Sequence, residues 1–150
     1  MNVFPLTTEE RAQGGFTHRI ELTHADLTQT AANTAQVISL ITLAIGMMVL
    51  RVATRMTIAF QDVSDNAFNS TAITIGDTGT ANLFLASQEL NVNGTEVYNK
   101  AGTMTAKAYD STDALNITFN SMSAKSLSNI DVGAITVFAE IVDLKQLAGS

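Results

Sequence analysis

Residues 37–60, VISLITLAIGMMVLRVATRMTIAF, are the most apolar run of the chain and the one with the longest alternation. From Met48 the even positions are Met48, Leu50, Val52, Thr54, Met56, Ile58 and Phe60, while the odd positions include Arg51, Arg55 and Thr57. A period of two marks a strand with one buried face, so the spacing predicts Met48, Val52 and Ile58 in a core. Val37 to Ile45 is apolar on both parities except at Ser39 and Thr42, and it is rich in β-branched residues. That is the pattern of a strand covered on both sides. Gly46 breaks the run where the chain can turn or bulge, and the expectation is two central strands of a sandwich.

No charged residue occurs between Asp26 and Arg51, which raises the competing reading of a membrane span. The strongly apolar part, Val37 to Leu50, is shorter than the roughly 20 residues a spanning helix needs. Extension brings in Asn33, Thr34 and Gln36 on one side and Arg51 and Arg55 on the other. Internal strands are the expectation, with no membrane partner.

The chain has 150 residues, enough for one domain to bury a core without staples. Cysteine is absent, which excludes disulfides, thiolate metal sites and a cysteine nucleophile. A net charge of −6 disfavours nucleic acid, whose phosphates require a basic footprint. The first residues, MNVFPLTTEERAQGG, carry an acidic pair and no apolar h-region, so no secretory signal is expected there.

Residues 1–15 read as an N-terminal arm, and residues 16–150 as a single β-sandwich domain. Thr7 and Glu10 can form a capping box for one helical turn, with Gly14-Gly15 as a joint. Phe4 and Leu6 are then candidate anchors on a neighbouring surface, the alternative being a frayed end. Phe16 to His24 alternates as a half-buried strand, and Thr71 to Ile75 restarts one before the tight turn GDTG at 76–79. Asn82 to Leu90 fits neither period. Asn93-Gly94 is the strongest hairpin signal, predicted to pair Glu89–Val92 with Thr95–Tyr98. Thr103–Tyr109 and Ala114–Phe119 are predicted to pair across the turn DSTD, and Ile130–Leu144 forms a long last strand buried on its odd face, with Val137 and Ile141 in the core. About eight strands without regular helix alternation predict an all-β fold, an antiparallel β-sandwich or jelly roll.

Candidate chemistry is sparse. His18 and His24, six residues apart on one strand, would stand roughly 20 Å apart and cannot share a metal. His24 with Asp26 is the one local pair that could serve a catalytic triad, and no GxSxG elbow supplies a nucleophile. Asp62 with Asp65, and Asp110 with Asp113, lack the spacing of an EF-hand loop and read as solvated turns. The GDTG turn lacks the lysine and helix of a phosphate loop. Asn69, Asn93 and Asn116 begin sequons expected by chance in a chain rich in Asn and Thr. These patterns predict no enzyme, no metal and no cofactor. Arg51 and Arg55 share parity about 13 Å apart on one strand, placed either to grip carboxylates of a partner or to keep one sheet face soluble.

Residues 73–97, ITIGDTGTANLFLASQELNVNGTEV, together with the alternating segment 47–77 and the closing DVGAITVFAEIV, resemble small structural proteins of tailed phages. They are most similar to the capsid cement or decoration proteins of short-tailed phages, and the resemblance spans about residues 16 to 144. It implies a β-sandwich or jelly-roll homo-oligomer, a homodimer or homotrimer. Such a protein assembles in the host cytoplasm and clamps adjacent subunits of the major capsid protein on the virion exterior. The competing readings are a head- or tail-fibre or receptor-binding module, a carbohydrate-binding sandwich and a small enzyme. A sugar-binding surface wants exposed aromatics, and the chain has no Trp and two Tyr.

Overall fold

Gly46, at φ +93°, turns the apolar run back on itself, yet its two halves enter different sheets. The computed structural model describes residues 1–147. The elements in order are β1 (Asn2–Pro5), α1 (Thr8–Gly14), β2 (His18–Thr23), β3 (Gln36–Leu43), β4 (Met47–Gln61), β5 (Thr71–Gly76) and β6 (Leu85–Glu89). They continue with β7 (Asn99–Ala101), β8 (Lys107–Ala108), β9 (Asp113–Ser121), β10 (Val132–Asp143) and α2 (Leu144–Leu147). One sheet runs β1-β2-β10-β4-β7, with β8 also paired to β4; the other runs β3-β9-β5-β6. Every pairing is antiparallel. The chain is an all-β sandwich.

The inner faces of both sheets supply one core. Ile20, Leu22, Val52, Met56, Ile135 and Val137 of the first sheet face Leu40, Leu43, Ile73, Ile75, Ile117 and Phe119 of the second. The rings of Phe60 and Phe119 meet across the layers with centroids 5.5 Å apart, a tilted pair. A buried polar link crosses with them: the Thr54 hydroxyl donates to the Gln88 amide oxygen, and the Gln88 amide donates to the Val97 carbonyl at 2.6 Å. Buried polar groups are tolerated when paired in this way.

β3 is an edge strand, not a central one, which corrects the expectation for Val37 to Ile45. Among the described residues it pairs with β9 alone, and Val37 is 62% exposed. Leu40 and Leu43, of opposite parity, are both buried because the β3–β9 register shifts between Ser39 and Ile41, and the other face is open. No described helix is long and apolar enough to cross a membrane.

The alternation in β4 also needs correction at two of its predicted core residues. The β4–β10 register slips between Glu140/Ile141, Ala134/Ile135 and Val132/Ala134. Each slip is a β-bulge, and an extra residue inverts the parity that follows. Val49 therefore lies in the core in place of Met48, and Ile58 points outward at 54% exposure while Ala59 and Phe60 both turn in. Val52, Val137 and Ile141 are buried as the spacing predicts. Gly133, at φ +154°, lets β10 pass the Phe60 ring; a Cβ there would stand 2.4 Å from Phe60 Cδ1.

Two predicted strand pairs do not form. The chain does reverse at Asn93-Gly94, with the Val97 N–H donating to the Glu89 carbonyl at 2.9 Å, but residues 95–98 then leave the ladder and β7 pairs with β4 in the first sheet. Neither Asn93 nor Gly94 has positive φ, so the expected primed turn is absent. The turn at 110–112 likewise separates sheets: β8 pairs with β4, whereas β9 lies between β3 and β5.

Candidate partner-binding face

The outer face of the first sheet gathers three of the four predicted contact residues, Phe4, Arg51 and Arg55. Because Ile20, Leu22, Ile135, Val137, Val52 and Thr54 point inward, their neighbours Arg19, Glu21, Thr136, Phe138, Ala53 and Arg55 point outward. The register lines them up in rows: Glu21, Thr136 and Arg55 lie side by side, as do Phe4, Arg19, Phe138 and Ala53.

Residues 1–15 run along this face. β1 pairs with β2, and the N-terminal ammonium donates to Asp26 Oδ1 at 2.5 Å. The capping box is present: the Glu10 N–H donates to Thr7 Oγ1 at 3.3 Å and the Thr7 N–H to Glu10 Oε2 at 2.9 Å. The Thr7 N–H first, and then the Thr7 hydroxyl, hold the Glu10 carboxyl below its ordinary pKa. Gly15, at φ +75°, ends the helix, and its N–H donates to the Arg11 carbonyl at 2.7 Å.

Arg51 ties this segment to the sheet. Its Nε donates to Glu140 Oε2 at 2.7 Å, its Nη2 donates to the Gly14 carbonyl, and its guanidinium lies 4.2 Å from the Phe16 ring centroid. Phe16 leans on Phe138 with centroids 5.8 Å apart. A shallow cavity of about 230 Å³ remains under α1, lined by Leu6, Glu10, Gln13, Gly14, Phe16 and Phe138. Leu6 is 7% exposed and spends its side chain within its own chain. Phe4 stays partly open beneath the Arg19 guanidinium, 5.0 Å from the ring centroid. Arg19 also reaches Glu10 at 3.3 Å and Glu21 at 3.5 Å. Arg55 differs: it is exposed, and it has no ion-pair or hydrogen-bond partner among the described residues.

Beyond Arg55 the face is open and apolar. Thr23, His24, Ile58, Val132, Gly133 and Ala134 line a pocket of about 270 Å³. Sequence periodicity misses it, because it assigns Ile58 to the core. No local signal marks it, since strict alternation through residues 57–60 would bury Ile58 and expose Ala59, and the shift that reverses this lies in the pairing with β10.

The other candidates are held in structural roles. Asp26 Oδ2 accepts from the Thr23 N–H at 2.9 Å, so its carboxylate caps a turn and does not orient His24. His18 Nδ1 meets the Thr17 hydroxyl at 2.8 Å, and burial followed by the nearby Arg11 charge lowers its pKa. Asp62 binds the Ser64 N–H at 3.0 Å, and Asp65 pairs with Lys125. In the GDTG turn Asp77 is 2% exposed, accepts the Thr80 N–H at 2.8 Å and the Tyr109 hydroxyl at 3.1 Å, and pairs with Lys107. Asp113 accepts the Thr78 N–H at 3.2 Å. No three His, Asp or Glu side chains converge as metal ligands among the described residues.

No protein-family model matches the chain, and no curated protein matches it. Two solved structures share its architecture. A chain of the cyanophage Pam1 capsid asymmetric unit superposes with a TM-score of 0.55 at 19% identity, over 81% of this chain and 79% of that one. A chain of the acidic stable capsid structure of Helicobacter pylori bacteriophage KHP30 superposes with a TM-score of 0.51 at 12% identity, over 83% and 94%. The fold is one that phage capsids contain. At these identities the likeness is one of architecture, so it transfers no residue role to Phe4, Leu6, Arg51 or Arg55.

Proposed function

We propose that this chain is a virion structural protein of a tailed phage, a cement or decoration protein that binds the outer capsid surface and stabilises contacts between major capsid protein subunits. The observation that carries the reading is the fold likeness to chains of two phage capsids over most of each chain's length. The strand order supports the narrower jelly-roll description: within the six-stranded first sheet β2-β10-β4-β7 faces β3-β9-β5-β6, so the chain passes repeatedly between the two layers. A sandwich whose carboxylates cap turns and pair with cations offers contact surface instead of catalysis. The acidic charge suits a position away from the packaged genome. As a homodimer or homotrimer it touches several capsid subunits at once, and linked contacts of that kind can each be weak.

The test is to purify heads with and without this protein and compare their survival on heating and in low salt. Heads carrying it should survive longer. Its absence from purified heads, or its presence in tails alone, would refute the cement reading and leave the fibre or receptor-binding module.

A further inference from the structure

Resting on the capsid reading, we propose that the open end of the first sheet's outer face docks a capsid-subunit segment in which a carboxylate stands beside an apolar side chain. Arg55 takes the carboxylate, and the pocket around Ile58 takes the apolar group.

Charge complementarity selects this partner. On this face Glu140 is matched by Arg51, and Glu10 and Glu21 by Arg19. Arg55 remains as the cation without a partner among the described residues, on a chain whose net charge is −6. A planar guanidinium held ready at a surface fits a carboxylate. The pocket next to it follows from the β-bulge at Ala134/Ile135, which aims Ile58 outward, with Val132 and Ala134 beside it in the lining. Bulges commonly re-aim side chains where a protein meets something else.

The spacing narrows the partner further. Arg55 sits opposite Thr136 and Ile58 opposite Ala134, two residues apart on β10. Same-face neighbours on a strand are about 7 Å apart, so an extended segment presenting its carboxylate at one position and its apolar residue two positions on matches both. α1 stands over the other end of the face, above Phe16 and Phe138. A helix with its side chains is about 10 Å across, which steers an incoming segment to the open end.

The test measures cosedimentation with purified heads lacking this protein. The variants are Arg55→Glu, Ile58→Asp and, on the outer face of the second sheet, Val37→Asp, each checked by thermal melting. Arg55→Glu and Ile58→Asp should weaken binding about tenfold or more, and Val37→Asp should not. Wild-type binding should also fall as salt rises, with a shallower dependence for Arg55→Gln. If wild-type protein binds and folded Arg55→Glu binds equally well, the site is refuted and the capsid reading stands. If wild-type protein does not bind heads at all, both fail.

Discussion

Replacing isoleucine by alanine at positions 58 and 135 makes the same chemical change on two adjacent strands, and the bulges alone make the outcomes differ. Ile135 is 1% exposed, between Leu22 and Met56 in the sheet, whereas Ile58 is 54% exposed. Isoleucine to alanine removes three carbons, so at about 0.8 kcal/mol per buried methylene the transfer loss at Ile135 is roughly 2.4 kcal/mol. The cavity left among close-packed neighbours adds to it, and the total falls within about 2–5 kcal/mol. At Ile58 about half of the side chain is already in water, no enclosed cavity forms, and the loss should be about 1 kcal/mol or less. Urea unfolding followed by far-UV circular dichroism at pH 7 reads both, with unchanged slopes showing that the midpoints compare stability. A cost above about 2 kcal/mol at Ile58, or equal costs at the two sites, would refute the bulged register and return Ile58 to the core.

Arg51→Ala should free α1, since it removes the Glu140 pair, the bond to the Gly14 carbonyl and the contact with Phe16. Together these half-buried interactions contribute about 1–2 kcal/mol, and limited proteolysis should cut within residues 7–15 faster than in wild type. The Asp77 network should make stability fall at both ends of the pH scale. Burial raises the Asp77 pKa, but Lys107, the Thr80 N–H and Tyr109 outweigh it and leave it below 3.8. A depressed carboxyl stabilises above its unfolded pKa and loses that contribution as pH falls through the folded value, so the urea-midpoint gap between wild type and Asp77→Asn should shrink below about pH 4. Burial, then the Asp77 charge, raises the Tyr109 pKa above 10.0, so its contribution is present below that value and lost as pH rises beyond it. Tyr109→Phe should lack this alkaline loss, and a wild-type midpoint flat from pH 9 to 12 would contradict the buried phenol.

Local pattern alone determined the class of this protein. Alternation at Phe16–His24, 48–56 and 130–144, with no regular helix between strands, requires half-buried sheets, because side chains of a strand alternate faces whatever the sheet's neighbours are. The capping box at Thr7 and Glu10 was legible for the same reason, since its partners are three residues apart. Assignment to sheets was not legible, because Asn93-Gly94 and the 110–112 turn show a reversal without showing which strand the returning chain meets. A layered fold resolves that through burial of both inner faces, which sent β7 and β8 to β4 and β9 to β3 and β5. The candidate site was half visible. Arg51 and Arg55 lie between bulges, so their shared parity survived folding, while Ile58 lies beyond one. Only the tertiary structure decided that Arg51 is neutralised by Glu140, 89 residues away, that Leu6 is buried, and that Arg55, unpaired among the described residues, stands beside an exposed isoleucine. Ion pairing and burial depend on residues that folding brings together, and a bulge in β4 exists only in register with β10.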